Sequence, residues 1–142
     1  MNRKDFIKGS CGVCMALSSG FVMSALLSSC HSALSVFKTT SANNTIQVPL
    51  SEFEKSSYKL VRVNNYNFDL AVQKKPDGTF DVLVLECTHA GQPLTKTGNT
   101  YYCTLHGSQY SHDGKLLKGP AETDMKRLAW KMENNFLTIH LI

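Results

Sequence analysis

The sequence of 142 residues has no segment with a sustained helical period, no large excess of one charge and no second group of metal-ligating residues. The missing helical period argues against helical and α/β domains, whose helices show apolar residues three and four positions apart. Fifteen Lys and Arg against 11 Asp and Glu leave a net charge of +4, too little for a nucleic-acid-binding face. No 2-His-1-carboxylate set of the kind non-haem oxygenases use is evident. Once a leader is set aside, roughly 110 residues remain, enough for one domain and not two. Composition is otherwise that of a globular protein, 42% hydrophobic and 18% charged.

The first 29 residues differ from the rest. Arg3, Lys4 and Lys8 precede an uncharged run from Gly9 to Ser29 rich in Ser, Gly and Ala, which reads as an export signal or an uncleaved anchor. Its opening, RKDFIK, resembles the twin-arginine signal with Lys4 in place of the second arginine; that pathway carries folded proteins. The run ends LLSSC, similar to a bacterial lipobox, with Cys30 as the lipidated first residue of the mature protein. About 20 apolar residues could also span a bilayer as a signal anchor. Either way the expected location is outside the cytoplasm, periplasmic and tethered to the membrane. Cleavage before Cys30 would remove three basic residues and one acidic residue, leaving a net charge of +2. Cys11 and Cys14 form CGVC inside this leader, without the βαβ unit that a redox motif needs.

Residues 30–44 are rich in Ser, Thr, Ala and Asn and are expected to form a flexible tether. From 45 to 142, short runs alternate apolar with polar: TIQVPL, YKLVRV, FDLAVQ, FDVLVLE, KLLKG, LAWKME and FLTIHLI. Asn64 and Asn65, KPDG at 75–78, SHDGK and ENN supply turns. This spacing predicts an all-β domain of about eight to ten short strands. Trp130, Tyr58, Phe68 and Phe80 are expected in the core, and His140 is an ordinary strand residue.

Between these runs lies CTHAGQPLTKTGNTYYCTLHGSQYSHDG, residues 87–114, with Cys87-Thr88-His89 followed by Cys103-Thr104-Leu105-His106. Structural zinc sites usually pair like ligands, Cys with Cys and His with His. A Cys and a His in each of two loops suits two unequal metals, with the two Cys on one and the two His on the other. His112, beside the Asp113-Gly114 turn signal, reads as an exposed turn residue.

From Glu86 to Ala121 the chain resembles the Rieske [2Fe–2S] family, in which two His replace two Cys on one iron. CTHAGQPL and CTLHGSQY match its two cluster loops, here expected at 86–92 and 102–110, and Gly119-Pro120-Ala121 resembles the start of its proline loop. The resemblance implies a Rieske-type antiparallel β-sandwich of small stacked sheets with a two-loop cluster-binding subdomain. It implies one [2Fe–2S] cluster held by Cys87, His89, Cys103 and His106, with Ser108 and Tyr110 donating to sulfur and raising the potential. Three departures stand out: Gln92 and Leu105 occupy the positions of the loop disulfide of respiratory members, the spacer between the loops is short, and Glu122 replaces a second proline. Without the disulfide, the loops are expected to rely for their shape on Gly91, Gly98 and Gly107.

The family resemblance implies an electron carrier, or a subunit of an oxidoreductase, rather than a catalyst on its own. The expected setting is a quinol-oxidising, quinol:cytochrome c reductase-like chain on the outer face of a bacterial membrane. Its partner would be a cytochrome complex or another redox protein. The alternatives are the small Rieske subunit of an exported oxidoreductase resembling arsenite oxidase, the ferredoxin component of a dioxygenase, and a structural zinc site.

Overall fold

The computed structural model describes residues 34–142. The expected export signal, the CGVC pair, Cys30 and the first residues of the tether lie outside the described residues. Those described form eleven strands and one 3-10 turn in three small sheets.

The first sheet is a meander of β3 (Tyr58–Val63), β4 (Leu70–Lys74) and β5 (Phe80–Val84), with β1 (Val36–Thr39) added at the β3 edge. The second sets β11 (Phe136–His140) between β10 (Trp130–Glu133) and β2 (Thr45–Pro49), so the end of the chain closes against the start of the domain. The third is a meander of three-residue strands, β6 (Thr95–Thr97), β7 (Thr100–Tyr102), β8 (Gln109–Ser111) and β9 (Leu116–Lys118).

Turn chemistry fixes the hairpins. Between β4 and β5, Gly78 takes φ +83° and Asp77 Oδ1 accepts from the Thr79 N–H at 2.9 Å. Between β10 and β11, Asn134 and Asn135 both have positive φ, as a two-residue hairpin turn matched to strand twist requires.

The expected tether over 30–44 is corrected from Val36 onward. Val36–Thr39 pairs in parallel with Leu60–Val63, the single parallel pairing among the described strands of an otherwise antiparallel fold. Backbone bonds and polar side chains hold it: Asn64 N–H donates to Thr39 O at 2.9 Å, Lys59 Nζ to Ser35 Oγ at 2.7 Å and Asn64 Nδ2 to Thr40 Oγ1 at 3.1 Å. The Ser and Thr that read as linker are its hydrogen-bonding partners.

Alternation along β5 builds two cores from one strand. Phe80, Val82 and Val84 face Ile46, Val48, Leu137 and Ile139 of the second sheet. Leu83 turns the other way, and Leu85 and Cys87 beyond the strand join it in a second core with Leu94, Tyr101, Cys103, Tyr110 and Met125. Phe53, Phe80 and Trp130 stack edge to face at centroid distances of 5.0 and 5.6 Å, and Trp130 Nε1 donates to Phe80 O; such pairs each add about 0.5–1.5 kcal/mol beyond burial. Of the aromatics expected inside, Phe80 is buried, Trp130 and Phe68 lean on the first core, and Tyr58 is half-buried against the second. His140 is exposed on β11.

Candidate metal centre

The metal-binding candidates sit in two loops folded the same way. β5 runs on through Leu85 and Glu86 into the first loop, closed where Glu86 bridges Pro93. There the Cys87 N–H donates to Gln92 O at 2.7 Å and the Gly91 N–H to Cys87 O at 2.8 Å. In the second loop, between β7 and β8, the Cys103 N–H donates to Ser108 O at 2.9 Å and the Gly107 N–H to Cys103 O at 2.9 Å. Each turn puts a glycine four residues after its cysteine with φ +64° or +81°, a conformation costly for any residue with a Cβ. Gly98 lies instead in the β6–β7 hairpin, so it shapes neither loop.

These turns bring the donors together in pairs. Cys87 and Cys103 are both buried and unbridged. His89 and His106 are both exposed, with Nδ1 atoms 3.2 Å apart and rings nearly perpendicular. That separation lets both rings bind one metal ion with bonds of about 2 Å. Among the described residues no three His, Cys, Asp or Glu side chains converge on one metal position. A structural zinc needs four ligands at one point; two thiols inside and two imidazoles outside fit a pair of unequal irons.

Hydroxyls gather on Cys87. Tyr110 Oη lies 3.6 Å from its sulfur, 2.9 Å from Thr88 Oγ1 and 3.2 Å from the Thr88 N–H, which donates to it. Fully buried Ser108 accepts from the Ala121 N–H at 3.0 Å, which leaves its own hydrogen for a sulfur acceptor. Burial raises the Cys87 pKa, but bonds from Tyr110, the His89 N–H, Ser108 and Cys103 outweigh it and hold the thiol below its usual range. The pocket thus favours the thiolate, the form that binds metal. Burial, reinforced by Cys87, pushes the Tyr110 phenol up.

The structure brings Cys87, His89, Cys103, His106, Ser108 and Tyr110 to one place. Gly119 and Pro120 are exposed, and their segment is fastened to the second loop through Ala121 and Ser108. His112 lies exposed in the β8–β9 turn, and Leu105, at a disulfide position, is 60% exposed. Sequence reasoning missed Thr88, Thr123 and the Glu86–Lys126 ion pair of 2.7 Å that braces the entry to the first loop. Thr88 could have been noticed from its place between two ligand candidates; Thr123 acts through a backbone carbonyl and leaves no signal.

Residues 45–129 match the sequence profile of the Rieske [2Fe-2S] domain, and the chain belongs to that family. The family holds one [2Fe–2S] cluster and transfers single electrons. Among relatives, the mitochondrial Rieske subunit of the cytochrome b-c1 complex from Aotus azarae is 30% identical over 89 residues, covering 61% of this chain and 32% of that protein. The Bos taurus subunit is 28% identical over 89 residues, with the same coverage. The chain therefore spans about a third of the length of these curated relatives.

In fold it is similar to the cyanobacterial plasma membrane Rieske protein from Synechocystis PCC 6803, with a TM-score of 0.53 and 21% identity over 66% of this chain and 97% of that one. It is also similar to part of naphthalene 1,2-dioxygenase, with a TM-score of 0.53 and 15% identity over 70% of this chain and 26% of that one.

Proposed function

We propose that Cys87 and Cys103 hold one iron and His89 and His106 the other, in a one-electron carrier of a quinol-oxidising respiratory chain on the outer face of a bacterial membrane. When bound, the cluster takes up and gives back one electron, at a potential that Rieske centres place between about −150 and +300 mV. The observation that carries the high-potential reading is the Tyr110 hydroxyl 3.6 Å from the Cys87 sulfur, with buried Ser108 among the groups that hold the same thiol's pKa down. Hydroxyl donors aimed at a ligand sulfur withdraw electron density and favour the reduced state. Both sit in folded structure, Tyr110 on β8 and Ser108 just before it, which holds their geometry.

The two exposed imidazoles do the outward work. Their Nδ1 atoms turn toward each other, which leaves the Nε2 atoms to meet a partner. Beside His89 an open cleft of about 320 Å³, lined by Thr88, Pro120, Glu122 and Thr123, can take part of a quinol ring. A neutral Nε2 accepts the quinol O–H, so proton and electron can leave together. Attachment to the membrane rests on the leader, through a lipid on Cys30 or an uncleaved helix.

One observation favours a second reading, the ferredoxin component of a dioxygenase. Gln92 and Leu105 supply no loop disulfide. Quinol reduction separates the two. The detergent-extracted full chain should be reduced by duroquinol, seen as bleaching of its visible absorbance, and reoxidised by a c-type cytochrome. Reduction by dithionite alone would remove the quinol assignment.

A further inference from the structure

The hydrogen bonds around Tyr110 can be assigned donor by donor. Thr88 Oγ1 lies 2.8 Å from Thr123 O, and a carbonyl only accepts, so the single hydroxyl hydrogen of Thr88 is committed there. In the 2.9 Å contact between Thr88 Oγ1 and Tyr110 Oη, Thr88 must then be the acceptor and Tyr110 the donor. Tyr110 has one hydrogen and two acceptors, the Thr88 oxygen at 2.9 Å and the Cys87 sulfur at 3.6 Å. The Thr88 N–H adds a bond to the same phenol oxygen and fixes its position.

We infer that Thr88 is a positioning residue that sets the reduction potential through Tyr110, by drawing the phenol hydrogen away from the Cys87 sulfur while Thr123 O holds the threonine hydroxyl in its accepting orientation. This rests on the ligand assignment above. The oxygen is the closer acceptor, at 2.9 Å against 3.6 Å for the sulfur, so the sulfur receives only part of the donation that Tyr110 could give. The segment after Pro120 acts on the centre through one carbonyl, 35 residues along the chain from Thr88.

The test is a cycle of midpoint potentials on the cluster-loaded full chain, measured by dye-mediated titration with circular dichroism and EPR readout. Thr88→Val keeps the shape and removes the competing oxygen. It should raise the midpoint potential, Thr88→Ser should leave it near the parent value, and Thr88→Val in a Tyr110→Phe background should change nothing further. A lowered or unchanged potential in Thr88→Val, or an equal shift in both backgrounds, would overturn the inference. If Thr88→Val fails to retain the cluster, Thr88→Ala makes the same comparison with less bulk. Loss of the cluster in both, with Thr88→Ser intact, would mean that the hydroxyl only ties the loop to Thr123, and the inference falls. A parent chain with no Rieske spectrum at all would instead sink the ligand assignment.

Discussion

Tyr58 and Tyr101 place two phenols between the first and third sheets, with Lys96 Nζ 5.0 Å above the Tyr58 ring. Neither buried hydroxyl makes a hydrogen bond of good geometry, although the two phenols act on each other's ionisation. Burial pushes Tyr58 up to about 12, and burial pushes Tyr101 up as well. Because the folded chain holds these protons more tightly than the unfolded chain, their contribution to stability is intact below pH 10, the ordinary tyrosine value. It drains away as pH rises toward 12. Urea midpoints should therefore fall between about pH 10 and 12, and Tyr58→Phe should make that fall shallower. An identical pH slope in the variant would contradict this. At pH 7 the same substitution removes an unpaired buried hydroxyl and should leave stability unchanged or slightly raised.

At the scale of elements, the turn between β8 and β9 is pressed against β5, and one glycine makes this possible. Gly114 has φ +82°, and a Cβ there would come within 2.8 Å of Leu83 Cδ2 and 3.4 Å of Met125 Cβ. Gly78, in the β4–β5 turn, has nearly the same φ, +83°, with nothing within 4 Å. Gly114→Ala should cost about 2–4 kcal/mol, from left-handed backbone plus overpacking. Gly78→Ala should cost only the backbone part, about 1–2 kcal/mol. Equal losses in chemical denaturation would show that the Leu83 contact is relieved without cost.

The strands best seen in the sequence are those long enough to show alternation, such as Tyr58–Val63 and Phe136–His140. Of the third sheet only β9 (Leu116–Lys118) shows in the sequence, within KLLKG; the others are hidden because three residues, as in Thr95–Thr97, cannot display a period. β1 was hidden because its Ser and Thr neighbours look like linker until Lys59 and Asn64 are placed beside them.

For the whole molecule, one sheet serves two cores, and the strand shared by both delivers the first cysteine to the site. The four ligand candidates were legible because metal chemistry restricts residue type, and two copies of one glycine turn restrict spacing. What surrounds them was less so. Ser108 accepts from Ala121 and Thr88 donates to Thr123, both backbone partners that any side chain could accompany.

Buried thiols, paired exposed imidazoles and the Tyr110 hydroxyl beside the Cys87 sulfur lead to the expectation of a high-potential Rieske centre. It is tested most directly by the midpoint potential of the purified protein and its Tyr110→Phe variant. The expected value lies inside the Rieske range of about −150 to +300 mV, near its upper part, with a lower one for the variant. A value near −400 mV, as in plant-type ferredoxins, or no change in Tyr110→Phe, would contradict it.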